Sequence, residues 1–111
     1  MSIRSDVGIA IKKELFKLFS EDDKNKYFQG YDSCIEREEG VLYIFKQVNS
    51  SSFDEFKHFL SVASNNEPEM YLLIDVCFDY PETDCDDCGC WYDNPWCLRR
   101  VLSVELTWNY I

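Results

Sequence analysis

The sequence is short of several things, and each shortage closes off a class of protein. Four glycines and three prolines among 111 residues are too few for a collagen-like or low-complexity chain. A single histidine, His58, sits between Lys57 and Phe59 with no orienting partner in view, which disfavours His-paired Ser or Cys catalysis. No phosphate loop and no dinucleotide fingerprint is present. No apolar run approaches the roughly 20 residues of a membrane span. The opening "MSIRSDVGIAIKKELF" carries Asp6 inside its one apolar stretch and lacks a small-residue cleavage pattern, so it does not read as a secretion signal. Positive charge is scarce as well, with 11 basic residues against 21 acidic ones and a formal net charge of -10. Such a field repels nucleic-acid phosphate and anionic lipid, and it suits a partner that is itself basic.

Apolar residues make up 46% of the chain and aromatics 16%, enough for a packed core and too many for global disorder. The length fits one domain, 1–111. Without an export signal, the six cysteines are expected in a reducing, cytoplasmic setting, as thiols or thiolate ligands rather than bridges.

Alternation of Ile3, Val7, Ile9 and Ile11 against Arg4, Asp6, Gly8 and Ala10 predicts a first strand with one buried face. Ile11, Leu15, Leu18 and Phe19 fall at helical spacing in "IKKELFKLFSEDD". Lysines at the start of that helix and acids at its end oppose the macrodipole, and "KNKYFQGYD" then reads as a polar connection. "SCIEREEGVLYIFKQV" predicts two strands about Glu39-Gly40, the second apolar on both faces and so central. The clearest helix lies in "NSSSFDEFKHFLSVAS", with Ser52 and Glu55 as a capping box and Phe53, Phe56, Phe59, Leu60 and Ala63 as its apolar stripe. "MYLLIDVCFDY" is a strand, and "RRVLSVELTWNY" closes the chain as another, with Leu102, Val104, Leu106 and Trp108 alternating. The expected fold is α+β: a mainly antiparallel sheet of four to five strands with two helices on one face. A Cys/Asp-rich loop, 80–98, joins the last two strands.

The stretches "RSDVGIAIKKE", "EGVLYIFKQV" and "YDNPWCLRRVLSVEL" resemble a group of small acidic proteins of phage and prophage genomes that open with an R-S-D-V strand. The resemblance is one of pattern. It implies an α+β domain from a viral accessory gene and carries over no catalytic residue. In that group the loop before the last strand is acidic but not cysteine-rich, so the cysteines here are a departure.

That loop, "DCDDCGCWYDNPWC", holds the candidate site residues. Cys85, Cys88, Cys90 and Cys97 could hold a structural zinc ion, which favours four thiolates in a tetrahedron. Their spacing, C-x2-C-x-C-x6-C, is not a matched pair of knuckles, and the neighbouring aspartates disfavour thiolates until metal arrives. The same thiols also admit a redox pair or loop disulfides. The expected function is protein binding. The acidic segment from Asp75 to Asp93, with Asp84, Asp86, Asp87 and Asp93 in or beside its loop, would meet a basic surface of a host protein, with Trp91, Tyr92 and Trp96 as anchors. The expected role is that of an inhibitor of a host protein, in counter-defence of the anti-CRISPR kind. The alternatives are a zinc-stabilised interaction domain and a thiol redox or metal-dependent enzyme. Monomer and homodimer are both compatible with the sequence.

Overall fold

A computed structural model describes residues 4–49, 53–77, 87–101 and 105–108. The chain runs β1 (Arg4–Lys12), α1 (Lys13–Phe16), α2 (Glu21–Tyr27), β2 (Ser33–Glu36), β3 (Gly40–Asn49), α3 (Asp54–Ala63), a 3-10 turn (Pro68–Met70), β4 (Tyr71–Cys77), β5 (Cys88–Gly89), β6 (Arg99–Val101) and β7 (Glu105–Thr107). Five strands form one antiparallel sheet in the order β2-β3-β1-β4-β5, and β6 and β7 pair as a second, two-stranded sheet. The expected α+β domain with helices on one face is what the chain builds.

β1 lies at the centre of the large sheet, and both of its faces are buried, not the one that alternation predicted. Val7, Ile9 and Ile11 meet the helices, in a core that includes Leu15, Phe19, Phe28, Phe56 and Leu60. Ala10, on the opposite face, joins a second core with Leu42, Ile44, Ile74, Val76, Trp91, Trp96, Leu98 and Leu106. Small residues face that side because cover lies close: a methyl group at Gly8 would stand 2.7 Å from Leu98 Cδ1.

The single first helix expected within residues 11–23 is instead two short ones, with Ile11 in β1 and Leu18 largely exposed. Electrostatics explains the break. Ser20 accepts a hydrogen bond from the Asp23 N–H (3.1 Å) and starts a new helix. The acids that would have opposed one long dipole, Glu21, Asp22 and Asp23, thereby fill the first turn of α2, while Lys24 and Lys26 lie in its last. Half of the expected polar connection thus becomes helix. Its aromatic residues anchor it: Tyr27 stacks on Phe59 at 4.3 Å, and Phe28 meets Tyr43 at 4.7 Å. On α3, Phe53, Phe56 and Leu60 are buried as the stripe predicted; the capping residue Ser52 lies outside the described residues.

The closing strand also differs from expectation. Residues 99–101 and 105–107 pair with each other, Arg99 opposite Thr107 and Val101 opposite Glu105, instead of extending the large sheet. Burial supplies the reason. The second face of the large sheet is apolar, and this pair, with Leu98 and Leu106, covers it. Leu102 and Val104 lie outside the described residues.

Gly40 opens β3 opposite Lys12, and a Cβ there would stand 2.1 Å from the Ile11 carbonyl oxygen. Gly40→Ala must therefore push the central strands apart. The expected cost is about 1–3 kcal/mol, read as a lower urea midpoint at constant slope; an unchanged midpoint would contradict this packing.

Candidate functional site

The sheet register gathers three acidic segments at one end of the molecule. Lys12 faces Gly40, Ile11 faces Tyr71, and Leu72 faces Gly89. The β2–β3 turn, the segment before β4 and the residues after β5 therefore emerge side by side. Direct bonds stitch them together: the Cys90 N–H donates to the Pro68 carbonyl (2.7 Å), the Trp91 N–H to the Tyr71 carbonyl (3.2 Å), and Arg37 Nη1 to the Pro95 carbonyl (2.9 Å).

After this stitching the chain dives under the sheet. Trp91 and Trp96 are 4% and 0% exposed and meet edge to face with centroids 6.0 Å apart. The expectation that both rings anchor a partner is therefore corrected: they are core residues of the second face. An apolar sheet face needs large cover, and aromatics following a strand supply it. Asn94 makes the tight turn between them, with φ at 35°. Its side-chain amide donates to the Leu98 carbonyl (2.9 Å) and accepts from the Leu98 N–H (3.0 Å). Tyr92, by contrast, is 89% exposed, and Asp93 beside it is exposed too.

Charge at this end is sorted by side-chain direction. Two cations lie over the tryptophan rings, Arg37 at 6.0 Å from the Trp96 centroid and Lys12 at 5.9 Å from that of Trp91. Both are half-buried. Glu36, Glu38, Glu39, Glu67, Glu69 and Asp93 are all exposed, and none enters an ion pair among the described residues. Lys13, also exposed, bonds through its N–H to the Glu39 carbonyl (3.0 Å). The five glutamates lie outside the acidic segment, Asp75 to Asp93, expected from the sequence. "EREEG" and "NEPE" carried the signal, but only the register shows that they converge.

The acidic patch expected from Asp75 to Asp93 does not include Asp75. Asp75 is fully buried on the helix side of β4, where its Oδ2 lies 3.5 Å from Lys57 Nζ of α3. Asp87 accepts a hydrogen bond from the Asp75 N–H (3.1 Å) and so occupies the sheet edge. Asp84, Asp86 and Cys85 lie outside the described residues.

Cys88 and Cys90 flank Gly89, whose φ of 80° and whose approach to the Tyr71 carbonyl, 2.3 Å from where a Cβ would lie, admit only glycine. Burial raises the Tyr71 phenol above its usual range, and the adjacent Cys88 thiol, its hydrogen-bond partner, and Cys90 raise it further. Cys97 is exposed. Among the described residues, no three His, Cys, Asp or Glu side chains are grouped as they would be around a metal ion. No helix among the described residues is long and apolar enough to cross a membrane. Comparisons with protein-family models, with curated proteins and with solved structures return no match.

The two aromatic roles separate experimentally. Trp96→Ala is expected to cost about 3–5 kcal/mol, and Tyr92→Ala less than about 0.5 kcal/mol, by urea denaturation. Equal effects would contradict the assignment of Trp96 to the core and Tyr92 to the surface.

Proposed function

We propose that this chain is a binding protein that captures a cationic protein surface with the acidic end of its sheet. The supporting observation is the sorting of charge there: Arg37 and Lys12 are spent on the tryptophan rings, while six carboxylates and the Tyr92 ring face outward. A net charge of -10 would steer a basic partner toward the molecule from a distance and raise the association rate. Tyr92 supplies the aromatic area that carries much of the energy at interfaces. The acidic turns are fixed by backbone bonds, so little ordering cost attends docking.

The mechanism is stoichiometric occlusion. Nucleic-acid-handling proteins present basic grooves, and a folded acidic face competes for such a groove by occupying its cations. The resemblance to phage accessory proteins favours a host protein of that kind, with counter-defence as the biological setting. No step of this mechanism needs catalysis.

Two double reversals of equal charge test the reading. Glu38→Lys with Asp93→Lys alters the acidic end; Asp22→Lys with Asp54→Lys alters the helix side by the same amount. Against a purified basic partner recovered from host extract, the first is expected to weaken binding on the order of 100-fold. The second should change it by less than about 3-fold at 0.15 M salt. Equal losses would mean that overall charge, not this face, governs capture, and the proposal would fall.

A further inference from the structure

β2 is the outer strand of the large sheet, and its free edge runs into the acidic end. Arg37 and Gly40 exchange both backbone hydrogen bonds across the β2–β3 turn, at 2.9 and 3.3 Å. Antiparallel pairs alternate between bonded and non-bonded. Ile35, opposite Leu42, therefore also bonds inward, while Cys34 and Glu36 aim their N–H and C=O groups away from β3. Among the described residues no strand pairs with that outer side. Asp32 fixes the start of the strand: its N–H donates to the Ile44 carbonyl (2.8 Å), and its carboxylate accepts from the Lys46 N–H (2.7 Å). The edge is thus a held row of backbone donors and acceptors, about 13 Å long for its four residues. Its two faces differ. Ile35 packs against the tryptophan core and is half-buried, whereas Cys34 packs against the helix-side core and Glu36 is exposed.

We propose that this edge takes up an extended basic segment of the partner protein as an added strand of the large sheet. This docking mode rests on the reading of the acidic end as a capture surface. Strand addition draws affinity from main-chain hydrogen bonds and specificity from alternate side chains. Charge selects the occupant. Residues 32–39 carry four carboxylates and one guanidinium, and that guanidinium, of Arg37, is held by the Trp96 ring and the Pro95 carbonyl. A second copy of this chain would set like charges against each other across the new pair, a common device by which edge strands resist self-pairing. A segment with Lys or Arg at every second position instead places cations against Glu36 and the neighbouring Glu38, and opposite charges across antiparallel strands stabilise the pair. Apolar residues at its intervening positions then lie beside Ile35, on the other face.

The probe is a short end-blocked peptide of alternating lysine and valine, added to the full chain and followed by amide hydrogen exchange. In the free protein the Cys34 and Glu36 amides are expected to exchange at least about 10-fold faster than those of Ile35 and Arg37. The peptide should slow both outward amides by about 10-fold or more. The same peptide N-methylated at every residue keeps its charge but offers no N–H, and should slow neither. Glu36→Pro leaves the β2–β3 bonds in place, because the Glu36 N–H points outward, yet it blocks the edge. It should weaken peptide binding on the order of 30-fold relative to Glu36→Gln. The exchange measurement on the parent protein stands whether or not the proline variant folds. Peptide binding that is lost in Glu38→Lys with Asp93→Lys but leaves Cys34 and Glu36 exchanging freely would overturn strand addition while leaving the capture reading intact. Failure of the peptide to slow either amide, or equal binding of the N-methylated peptide, would also overturn it. So would protection of both amides without peptide in a sedimenting dimer, which would assign the edge to a second copy.

Discussion

The central strand of this protein is buried on both faces, and the rest of the architecture answers to that constraint. β1 presents Val7, Ile9 and Ile11 to the helices and Gly8 and Ala10 to the other side. With β3 and β4 on its flanks it makes a sheet that is apolar above and below. A sheet of that kind is stable only when both sides are covered. The helices and their aromatic cluster supply one cover. The other comes from the residues after β5: two tryptophans, Leu98 and the β6–β7 pair.

Covering the second face determines what the acidic end can be. The chain must leave β5 and cross to the far side of the sheet, and it does so through a turn whose inner residues are Trp91 and Trp96 and whose outer residues are Tyr92 and Asp93. Arg37 is drawn to the Trp96 ring and to the Pro95 carbonyl, and Lys12 to Trp91. Core packing thus withdraws two positive charges from this end, and the glutamates of the neighbouring turns are left facing solvent. Structure and charge at this end have one origin, the need to close the second core. The Cys88-Gly89-Cys90 turn lies at the start of the same crossing, where backbone bonds hold it rigid.

Much of the fold was legible in the sequence because its strands carry strong period-two patterns. β3 read as central because Val41 to Phe45 are apolar without a break, and α3 read as amphipathic from its phenylalanine spacing. The errors share a cause: a local pattern does not show what packs on it. Gly8 and Ala10 looked like an outward face because small residues give no hydrophobic signal, yet their size is what allows Leu98 to approach. The alternation of Leu102, Val104, Leu106 and Trp108 gave no hint that residues 105–107 would pair with residues 99–101 in a separate sheet. Trp91 and Trp96 looked like exposed anchors because they stand among aspartates, and only the turn at Asn94 sends them inward while Tyr92 stays out. The acidic end could not be found from one segment, since register alone brings residues 36–39, 67–69 and 93 together.

The central claim is that the segment 90–98 is held to the fold as firmly as β4, through the buried Trp91, Trp96 and Leu98. Native-state hydrogen exchange measures this directly, because an amide released only by global unfolding reports the full stability of the domain. The amides of Cys90, Trp91 and Leu98 are bonded to Pro68, Tyr71 and Asn94 respectively. They are expected to exchange with the same free energy as those of Leu73 and Val76 in β4. Exchange of the first three through local opening, orders of magnitude faster than β4, would show that the segment is a surface loop and contradict the account.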